Sequence, residues 1–364
     1  MSLPPLVEPV ASLGAAARER AARTITLDGF GELAQRRLAA ARVLVLGAGG
    51  LGSPVLAYLA AAGVGVIGVA DFDVVDISNL QRQVIHRLAD VGEPKVRSAA
   101  RSLRELNPDL IVREHPVRLT RDNATELIAD YDLIIDGTDN FATRYLANDA
   151  AALARKPYVW GSVLRWDGQV TVFWEGAPDG PSLDYRDLHP VPPDPAGVLS
   201  CAEAGVLGTV CATIGSMMAT EAIKLITGTG EPLLGRVLVL DALAAEWREI
   251  PLRRHPARIP VAGLLPDYDE FCGLVDADPR YEVTERMPGV PLVDVRESWE
   301  HDRDHLDDDR LVPLATLLDD PVSVGPGPLI VYCETGVRSA RAVVALRAAG
   351  VEAWSLRGGI SARR

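Results

Sequence analysis

The sequence predicts an α/β protein in which a Rossmann-like domain with a mixed sheet is followed by a second, small α/β domain. Three observations lead to this fold class. A glycine-rich turn joins an apolar strand to a helix near residue 47, and further apolar strands end in polar residues. A second group of strands near the C-terminus includes one that ends in cysteine. A chain of 364 residues is long enough for two domains.

The glycine-rich turn follows the apolar strand Val43 to Leu46. Its glycines have the spacing G-x-G-x-x-G, and residues 53–62 after them are predicted as a helix. Glycine lets the backbone approach an anion closely, and the free N–H groups of the helix N-terminus point at it. The glycines are Gly47, Gly49 and Gly52. The motif predicts nucleotide binding, and the alternative is a turn that serves only helix–strand packing.

The second apolar run, residues 64–70, ends in Asp71, where a carboxylate would meet a ribose hydroxyl. An NAD-dependent oxidoreductase is therefore one candidate. However, a polar stretch with Arg82 follows in place of an ordinary helix, and Lys95 lies near the start of a helix predicted over 93–106. Cations near a glycine-rich loop counter the charge of a triphosphate, which favours ATP.

The strand Tyr131 to Asp136 also ends in polar residues, at the edge where open α/β sheets bind ligands. Asp139 is placed to hold a Mg²⁺ ion that bridges phosphates. The alternative is that Asp139 is the N-cap of the next helix. The remaining predicted elements of this domain are strands over 157–163, 168–174 and 237–241, a functional proline-rich loop over 176–198, and a long helix that ends near residue 226.

Composition and charge narrow the class of protein. The net charge of −13 disfavours a nucleic-acid partner. The uncharged run Val43 to Ala70 is interrupted by seven glycines and a proline, so it predicts a buried sheet core and no membrane span. The N-terminus lacks the basic start and apolar core of a signal peptide. We therefore expect a cytoplasmic protein without membrane association, and we expect its four cysteines to be thiols.

The second domain is predicted over 276–364, after a first domain over 1–252 and a proline-containing connector over 253–275. A strand over Leu292 to Arg296 ends in an acid–base pair, and the acidic run His301 to Asp309 is predicted as a solvated loop. The other elements predicted in this domain are a strand over 329–333, a helix through residue 346 and a strand over 353–356.

Cys333 ends the strand 329–333, in a short loop that opens a helix. Loop N–H groups and a helix N-terminus stabilise a thiolate or persulfide anion, and Arg338 adds positive charge, so the pKa of this thiol should fall. The alternative is an inert cysteine in the core of a strand. A core thiol needs neither Gly336 nor Arg338, so the pattern favours a reactive cysteine.

These motifs together resemble a known enzyme family. Residues 20 to 250 resemble the E1-like adenylyltransferases that activate ubiquitin-fold sulfur carriers, the MoeB/ThiF group. Residues 290 to 359 resemble a rhodanese domain, and the order of the two domains is that of the MoeZ type (MOCS3/Uba4-like). The motifs that carry the resemblance are Gly47-x-Gly-Gly-x-Gly52, Asp71-Phe-Asp73, Ser78-Asn-Leu-Gln-Arg-Gln83, Lys95, Asp136-Gly-Thr-Asp-Asn140, Cys201-Ala-Glu-Ala-Gly-Val206, Asp294-Val-Arg296, Cys333-x-x-Gly-x-Arg-Ser339 and Gly358-Gly359.

The resemblance implies residues that bind ATP and Mg²⁺. Asp139 would hold the metal, and Arg23 would reach the partner subunit's active site in a homodimer. The predicted cofactor-binding residues are Gly47, Gly49, Gly50, Gly52, Asp71, Asp73, Ser78, Asn79, Gln81, Arg82, Lys95, Asp139, Asn140 and Arg23. The residues that the resemblance makes catalytic are Arg82, Cys201, Cys333 and Arg338. Cys201 would either resolve an acyl-disulfide intermediate or only line the crossover loop.

Two departures from the family pattern change what is expected. Four positions that hold zinc-binding cysteines in some members are Asp184, Asp187, Ile259 and Ala262 here, so no zinc is predicted. Rhodanese domains usually continue through a tryptophan and a helix after the Gly-Gly pair, whereas this sequence ends five residues after Gly359. The second domain is therefore expected to be C-terminally short.

The implied function is ATP-dependent adenylation of the C-terminal Gly-Gly carboxylate of a sulfur-carrier protein. A persulfide on Cys333 would then supply sulfur, giving a thiocarboxylate. The sulfur would come from thiosulfate or from the persulfide of a cysteine desulfurase. A non-catalytic scaffold that delivers the carrier is a further alternative. The sequence leaves open whether the product serves molybdopterin, cysteine, thiamin, tRNA thiolation or a secondary metabolite.

Overall fold

The computed structural model describes residues 3–193, 204–256, 258–272, 278–334 and 336–363, without the side chain of residue 270. The chain divides into two compact units, Met1–Tyr268 and Asp269–Arg364. The division falls inside the predicted connector. Each unit is built around its own sheet, which confirms the predicted α/β class.

The first unit contains an eight-stranded mixed sheet. Five neighbouring strands, in the order β3-β2-β1-β4-β5, are parallel, and β6, β7 and β8 continue the sheet in antiparallel fashion. The strands are β1 (Arg42–Leu46), β2 (Val66–Ala70), β3 (Ile111–His115), β4 (Leu133–Asp136), β5 (Tyr158–Leu164), β6 (Asp167–Phe173), β7 (Arg236–Asp241) and β8 (Glu246–Pro251).

The helices of this unit cover the sheet and build its core. The first three of them form the arginine-rich N-terminal segment. The helices of the unit are α1 (Ala15–Arg20), α2 (Ala22–Ile25), α3 (Gly31–Ala40), α4 (Gly52–Ala62), α5 (Lys95–Leu106), α6 (Arg121–Ala129), α7 (Phe141–Leu153), α8 (Tyr185–Leu188) and α9 (Gly208–Thr227). Helix α9 packs against α4, β5 and β6, and the apolar side chains between them form one continuous core.

Among the described residues, α9 is the one helix that is long and apolar enough to cross a membrane. Its apolar window is 56% buried inside the protein. The α4–α9 contact is close, because a Cβ on Gly215 would overlap the side chain of Pro54. This is the packing of a core helix.

The second unit has a five-stranded parallel sheet in the order β11-β10-β12-β13-β9. Its core lies between the sheet and two of the helices, α12 and α13. Helix α10 spans the division between the units. The elements are α10 (Tyr268–Phe271), β9 (Glu282–Val283), β10 (Leu292–Asp294), α11 (Ser298–Arg303), β11 (Asp309–Leu311), α12 (Leu314–Asp319), β12 (Leu329–Tyr332), α13 (Val337–Ala348) and β13 (Ala353–Leu356).

The prediction of a solvated loop over His301 to Asp309 was wrong at both ends. Helix α11 includes His301, because Glu297 and Glu300 form a capping box that starts the helix. Asp309 begins β11, where its carboxylate accepts a hydrogen bond from the hydroxyl of Tyr332. The capping box lies just before the run and was overlooked, whereas Tyr332 lies 23 positions from Asp309 and cannot be inferred from the run itself.

A buried ion-pair cluster attaches the start of the predicted connector to the first unit. The Arg258 side chain is 1% exposed, and its guanidinium lies 2.8 Å from Asp184 and 2.9 Å from Asp187. It also contacts Glu175. Burial raises the pKa of Asp184 to about 6, although the Arg258 guanidinium opposes the rise. Arg258 therefore compensates carboxylates that are costly to bury without a cation.

We predict that Arg258→Gln lowers the free energy of unfolding by about 3–5 kcal/mol at pH 8, because Asp184 and Asp187 lose their buried cation. Urea denaturation of the whole chain measures the loss. Arg248→Gln is the control, since Arg248 forms an ion pair whose side chains are 71% and 56% exposed. That substitution should change the free energy of unfolding by less than about 1 kcal/mol.

The loss caused by Arg258→Gln should shrink as the pH falls from 8 to 5. Between the unfolded pKa of 3.8 and the folded pKa of about 6, Asp184 binds more protons in the folded state. In the variant the folded-state pKa of Asp184 rises further, because the Arg258 guanidinium no longer lowers it, so acidification stabilises the folded variant more than the folded wild type. A loss equal to that of Arg248→Gln, or one that grows on acidification, would contradict this account of the cluster.

Candidate active sites

A cleft lies at the carboxyl ends of the parallel strands in the first unit. It brings together the glycine-rich loop, the end of β2, the segment before α5 and the loop between β4 and α7. Most of the residues predicted to bind the nucleotide line this cleft. They are Gly47, Gly49, Gly50, Asp71, Asp73, Arg82, Lys95, Asp139 and Asn140.

The glycine-rich loop needs its glycines for two different reasons. Gly47 has φ +87°, and a Cβ on it would lie 3.3 Å from the carbonyl oxygen of Gly137. A Cβ on Gly52 would overlap the carbonyl oxygen of Gly47. Gly52 is therefore required for closing the turn onto α4, and it does not line the cleft. Gly49 and Gly50 line the cleft with their backbone.

Asp71 holds the backbone of the loop. Its carboxylate accepts hydrogen bonds from the N–H groups of Ala48 and Asp73, both at 2.8 Å. Burial raises the pKa of Asp71, and the nearby cation of Lys95 offsets part of this rise. Asp71 follows the end of β2 and lines the cleft, and its carboxylate orders the backbone beneath it.

Asp136, at the end of β4, holds the loop that leads to α7. Its buried carboxylate accepts a hydrogen bond from the N–H of Thr138 at 2.8 Å and another from the hydroxyl of Tyr158. Burial raises the pKa of Asp136, and the cation of Arg144 opposes this rise. The loop that carries Asp139 is thus tied to the end of β4.

The alternative that Asp139 is a helix cap was wrong. The N-cap of α7 is Asn140, whose side-chain oxygen accepts a hydrogen bond from the N–H of Thr143 at 2.8 Å. Asp139 precedes the cap, is exposed and lines the cleft. Its carboxylate is therefore left available to a ligand, and Asn140 combines a structural role with its place on the cleft wall.

Cationic side chains converge on the same cleft. The Lys95 side chain is 8% exposed, and its Nζ lies 2.9 Å from the carboxylate of Asp73. Arg82 donates a hydrogen bond to the carbonyl oxygen of Ser78 at 3.2 Å. Arg144 is buried and donates to the carbonyl oxygen of Thr138 at 2.9 Å. These contacts place three positive groups on a cleft that also carries Asp139.

One buried polar atom on the cleft wall, Oε1 of Gln83, lacks a hydrogen-bond partner among the described residues. A buried polar atom without a partner costs free energy, so such atoms are usually satisfied by water or by a ligand. The backbone N–H groups and cations of the cleft fit the phosphates of a nucleoside triphosphate, and its carboxylate fits a divalent cation.

Some predicted residues lie off the cleft wall. Ser78 and Asn79 form a short 3₁₀ turn, in which Asn79 and Asp76 make a capping box. Arg23 lies in α2, and neither it nor Gln81 lines the cleft. Cys201 lies outside the described residues.

Several lining residues were missed by the sequence reasoning. Val117, Arg118 and Leu119 follow β3, a strand that was not predicted because its residues are largely exposed or half-buried. The guanidinium of Arg118 lies 4.3 Å from the centre of the Phe72 ring. Cys211 comes from α9. Had β3 been predicted, residues 117–119 would have been expected at the carboxyl edge of the sheet, because they follow a parallel strand.

The second candidate site surrounds Cys333, at the end of β12. Its thiol is 1% exposed, and Sγ accepts a hydrogen bond from the N–H of Gly336 at 3.1 Å. The hydroxyl of Ser339 lies 3.8 Å from the same sulfur. A Cβ on Gly359 would overlap the carbonyl oxygens of Cys333 and Glu334, so Gly359 packs directly against the backbone of the Cys333 loop.

Arg338 is bound by a carboxylate beside this loop. Both of its terminal nitrogens donate to Glu300 at 2.7 Å. Burial alone would raise the pKa of Glu300. The hydrogen bonds from Arg338 outweigh burial, so the net pKa is lowered and the carboxylate is ionised at neutral pH. The predicted positive charge near the thiol is therefore largely compensated by Glu300.

Arg296 holds the other side of the Cys333 loop. Its buried guanidinium pairs with Asp294 at 2.7 Å and with Glu334, the residue after the cysteine, at 3.2 Å. The hydroxyl of Ser361 donates to Glu334 at 2.9 Å. The loop is thus anchored on both sides, and the N–H of Gly336 donates to the sulfur of Cys333. Such a loop can hold an anionic sulfur species.

Two family models match the chain. The model described as the ThiF family matches residues 21–261, and the model described as a rhodanese-like domain matches residues 280–363. The chain is 51% identical to the probable adenylyltransferase/sulfurtransferase MoeZ of Mycobacterium tuberculosis, over 99% of this chain and 96% of that protein. It is also 50% identical to the sulfur carrier protein adenylyltransferase of Thermus thermophilus, over 70% of this chain and 97% of that protein.

Among solved structures, the chain resembles Escherichia coli MccB crystallised with AMPCPP and selenomethionine MccA. The TM-score is 0.60, the identity is 20%, and the match covers 70% of this chain and 76% of MccB. At this identity the likeness shows the fold alone.

Proposed function

The chain belongs to the ThiF family and carries a rhodanese-like domain, so it is an adenylyltransferase and sulfurtransferase, and from this premise we propose its substrates and the roles of its residues. The MoeZ-type resemblance seen in the sequence is thereby confirmed. The matches do not support the oxidoreductase or scaffold alternatives. The proposed substrate is the C-terminal Gly-Gly carboxylate of a ubiquitin-like sulfur carrier.

Adenylation is supported by one observation. A single cleft is lined by the backbone of Gly49 and Gly50 and by the side chains of Lys95, Arg82 and Asp139. A carboxylate oxygen of the carrier attacks the α-phosphorus of ATP, and pyrophosphate leaves with the electron pair of the broken P–O bond. Lys95, Arg82 and the loop N–H groups stabilise the charge that develops on the phosphate oxygens. Asp139 would hold a Mg²⁺ ion, which would neutralise part of that charge.

The sulfur half is supported by the anchored Cys333 loop. A persulfide on Cys333 attacks the acyl carbon of the adenylate, and AMP leaves. A resolving thiol, for which the sequence offers Cys201, then attacks the acyl disulfide at Cys333. This step releases the thiocarboxylate and leaves a disulfide that an external thiol must reduce. Arg338, held by Glu300, orders the first turn of α13.

We also propose the setting of this chemistry. The sulfur on Cys333 comes from thiosulfate or from the persulfide of a cysteine desulfurase. The enzyme works as a cytoplasmic homodimer, in which Arg23 reaches the partner subunit's cleft. This placement is supported by the exposed position of Arg23 in α2, away from the cleft of its own chain.

We predict that the purified protein contains no structural zinc at the positions of Asp184, Asp187, Ile259 and Ala262. Ile259 and Ala262 offer no ligand atom, and both carboxylates already pair with Arg258. Elemental analysis of protein purified without added metal measures the content. One zinc per chain that is lost in an Asp184→Asn, Asp187→Asn double variant would overturn the prediction.

We predict that Asp139→Ala slows acyl-adenylate formation by more than about a hundredfold, because the triphosphate loses the group that holds its cation. Carrier-dependent release of pyrophosphate in a single turnover measures the rate. Asp122→Ala is the matched control, since Asp122 is also an exposed aspartate at the start of a helix in the first unit. Equal rates for the two variants would contradict the assignment of Asp139.

We predict that Cys333→Ala retains acyl-adenylate formation and loses thiocarboxylate formation from thiosulfate or a persulfide donor. The thiol lies outside the nucleotide cleft and provides the sulfur nucleophile. Mass spectrometry of the carrier detects the replacement of oxygen by sulfur. Bisulfide at high concentration should partly restore the product, because it can attack the adenylate directly.

Cys272→Ala is the control for this prediction, since Cys272 is another buried cysteine. It should retain both activities. Full thiosulfate-driven thiocarboxylation by the Cys333→Ala variant would remove the persulfide role from Cys333.

A further inference from the structure

A buried histidine contacts the glycine-rich loop from behind the cleft. His86 is 5% exposed, and it follows the segment that carries Arg82. Its Nε2 lies 2.9 Å from the carbonyl oxygen of Ala48, and its Nδ1 lies 2.8 Å from the hydroxyl oxygen of Ser98 in α5. The residue does not line the cleft, and the proposed chemistry assigns it no role.

The contact with Ala48 determines where the ring carries its proton. A carbonyl oxygen can only accept a hydrogen bond, so Nε2 of His86 must be the donor. Burial lowers the pKa of His86, and the cation of Lys95 acts in the same direction, while the Ala48 carbonyl, Asp71 and Asp90 oppose them. Because the Ala48 carbonyl accepts from Nε2, this nitrogen carries a proton in the neutral ring and in the charged ring alike.

The far side of the ring is anchored to α5. The Ser98 hydroxyl faces Nδ1 and also lies 2.6 Å from the carboxylate of Asp90. Asp90 accepts a hydrogen bond from the N–H of Arg87 at 2.9 Å and pairs with Arg101. The imidazole thus contacts α5 through Ser98 and the glycine-rich loop through Ala48, and these two contacts set its orientation.

The geometry of the peptide bond transmits this anchoring to the cleft. The carbonyl of Ala48 and the N–H of Gly49 belong to one planar trans peptide, so they point in opposite directions. When the carbonyl is held toward His86, the N–H of Gly49 is directed away from it. Gly49 lines the cleft, whereas His86 lies behind the loop. The preceding peptide is held as well, because the N–H of Ala48 donates to Asp71.

We propose that His86 is a positioning residue for the nucleotide. By donating from Nε2 to the carbonyl of Ala48, it holds the N–H of Gly49 in the orientation that binds the phosphates of ATP. This inference rests on the proposed use of the cleft for ATP. It requires neither the carrier protein nor the cysteine chemistry, and so it can be tested separately from them.

The test compares two substitutions that differ in which ring nitrogen they replace. The amide nitrogen of glutamine corresponds to Nε2 of histidine, and that of asparagine corresponds to Nδ1. We expect His86→Asn to weaken the binding of Mg²⁺–ATP about tenfold, since the carbonyl of Ala48 loses its donor. His86→Gln should restore binding to within about threefold of the wild type. Isothermal titration calorimetry on the full chain measures both dissociation constants.

A third variant leaves the histidine in place. Ser98→Ala removes the group that faces Nδ1 and frees the ring to rotate, so ATP binding should weaken by about threefold. Melting temperatures without ATP report the structural cost of each substitution. If His86→Asn does not fold, the comparison of Ser98→Ala with the wild type decides the matter.

Some outcomes would overturn the proposal. One is equal ATP affinity in His86→Gln and His86→Asn, at any melting temperature. Another is an unchanged affinity in Ser98→Ala. A wild-type protein that binds ATP but forms no acyl-adenylate would contradict the proposed function instead, and the comparison of affinities among the variants would still test the role of His86.

Discussion

The close approach of two glycines is the constraint on which the nucleotide cleft depends. Gly47, after β1, packs against Gly137, after β4, because these strands are neighbours in the parallel sheet. The N–H of Gly47 donates to Ala70 at the end of β2, and the N–H of Gly137 donates to Leu46. Three strand ends are thereby joined at one edge, and the loops that leave them form a single cleft.

Polar side chains at the cleft bond to its backbone, apart from any contact that they make with a ligand. Asp71 and Asp136 each accept hydrogen bonds from loop N–H groups, and Asn140 caps α7. The Cys333 site is built in the same way, with Arg296 and Glu300 holding the residues on either side of the loop. In both units, charged side chains order a short loop by bonding to the residues that flank it.

The features that could be predicted from sequence are those set by local rules. The glycine spacing after Val43 to Leu46 predicts the turn, and polar residues after apolar strands predict the carboxyl edge of a parallel sheet. Strand β8 was not predicted because all six of its residues are exposed and show no alternation of apolar side chains. The bond between His86 and Ala48 joins residues 38 positions apart, and it becomes visible only when the fold brings them together.

The choice between Asp139 and Asn140 as helix cap shows the same limit of local reasoning. Both residue types are common N-caps, so their sequence positions alone could not decide which one carries out the role. The structure assigns the cap to Asn140 through its bond to Thr143, and this leaves Asp139 on the cleft wall.

Isotope exchange between pyrophosphate and ATP tests the central claim most directly, because it reports reversible formation of an acyl-adenylate. The wild-type chain should catalyse exchange when a sulfur carrier ending in Gly-Gly is present. A carrier lacking its last glycine should not support it, since the carboxylate would no longer reach the α-phosphorus. Exchange that is independent of the carrier, or no exchange with any Gly-Gly carrier, would contradict the account.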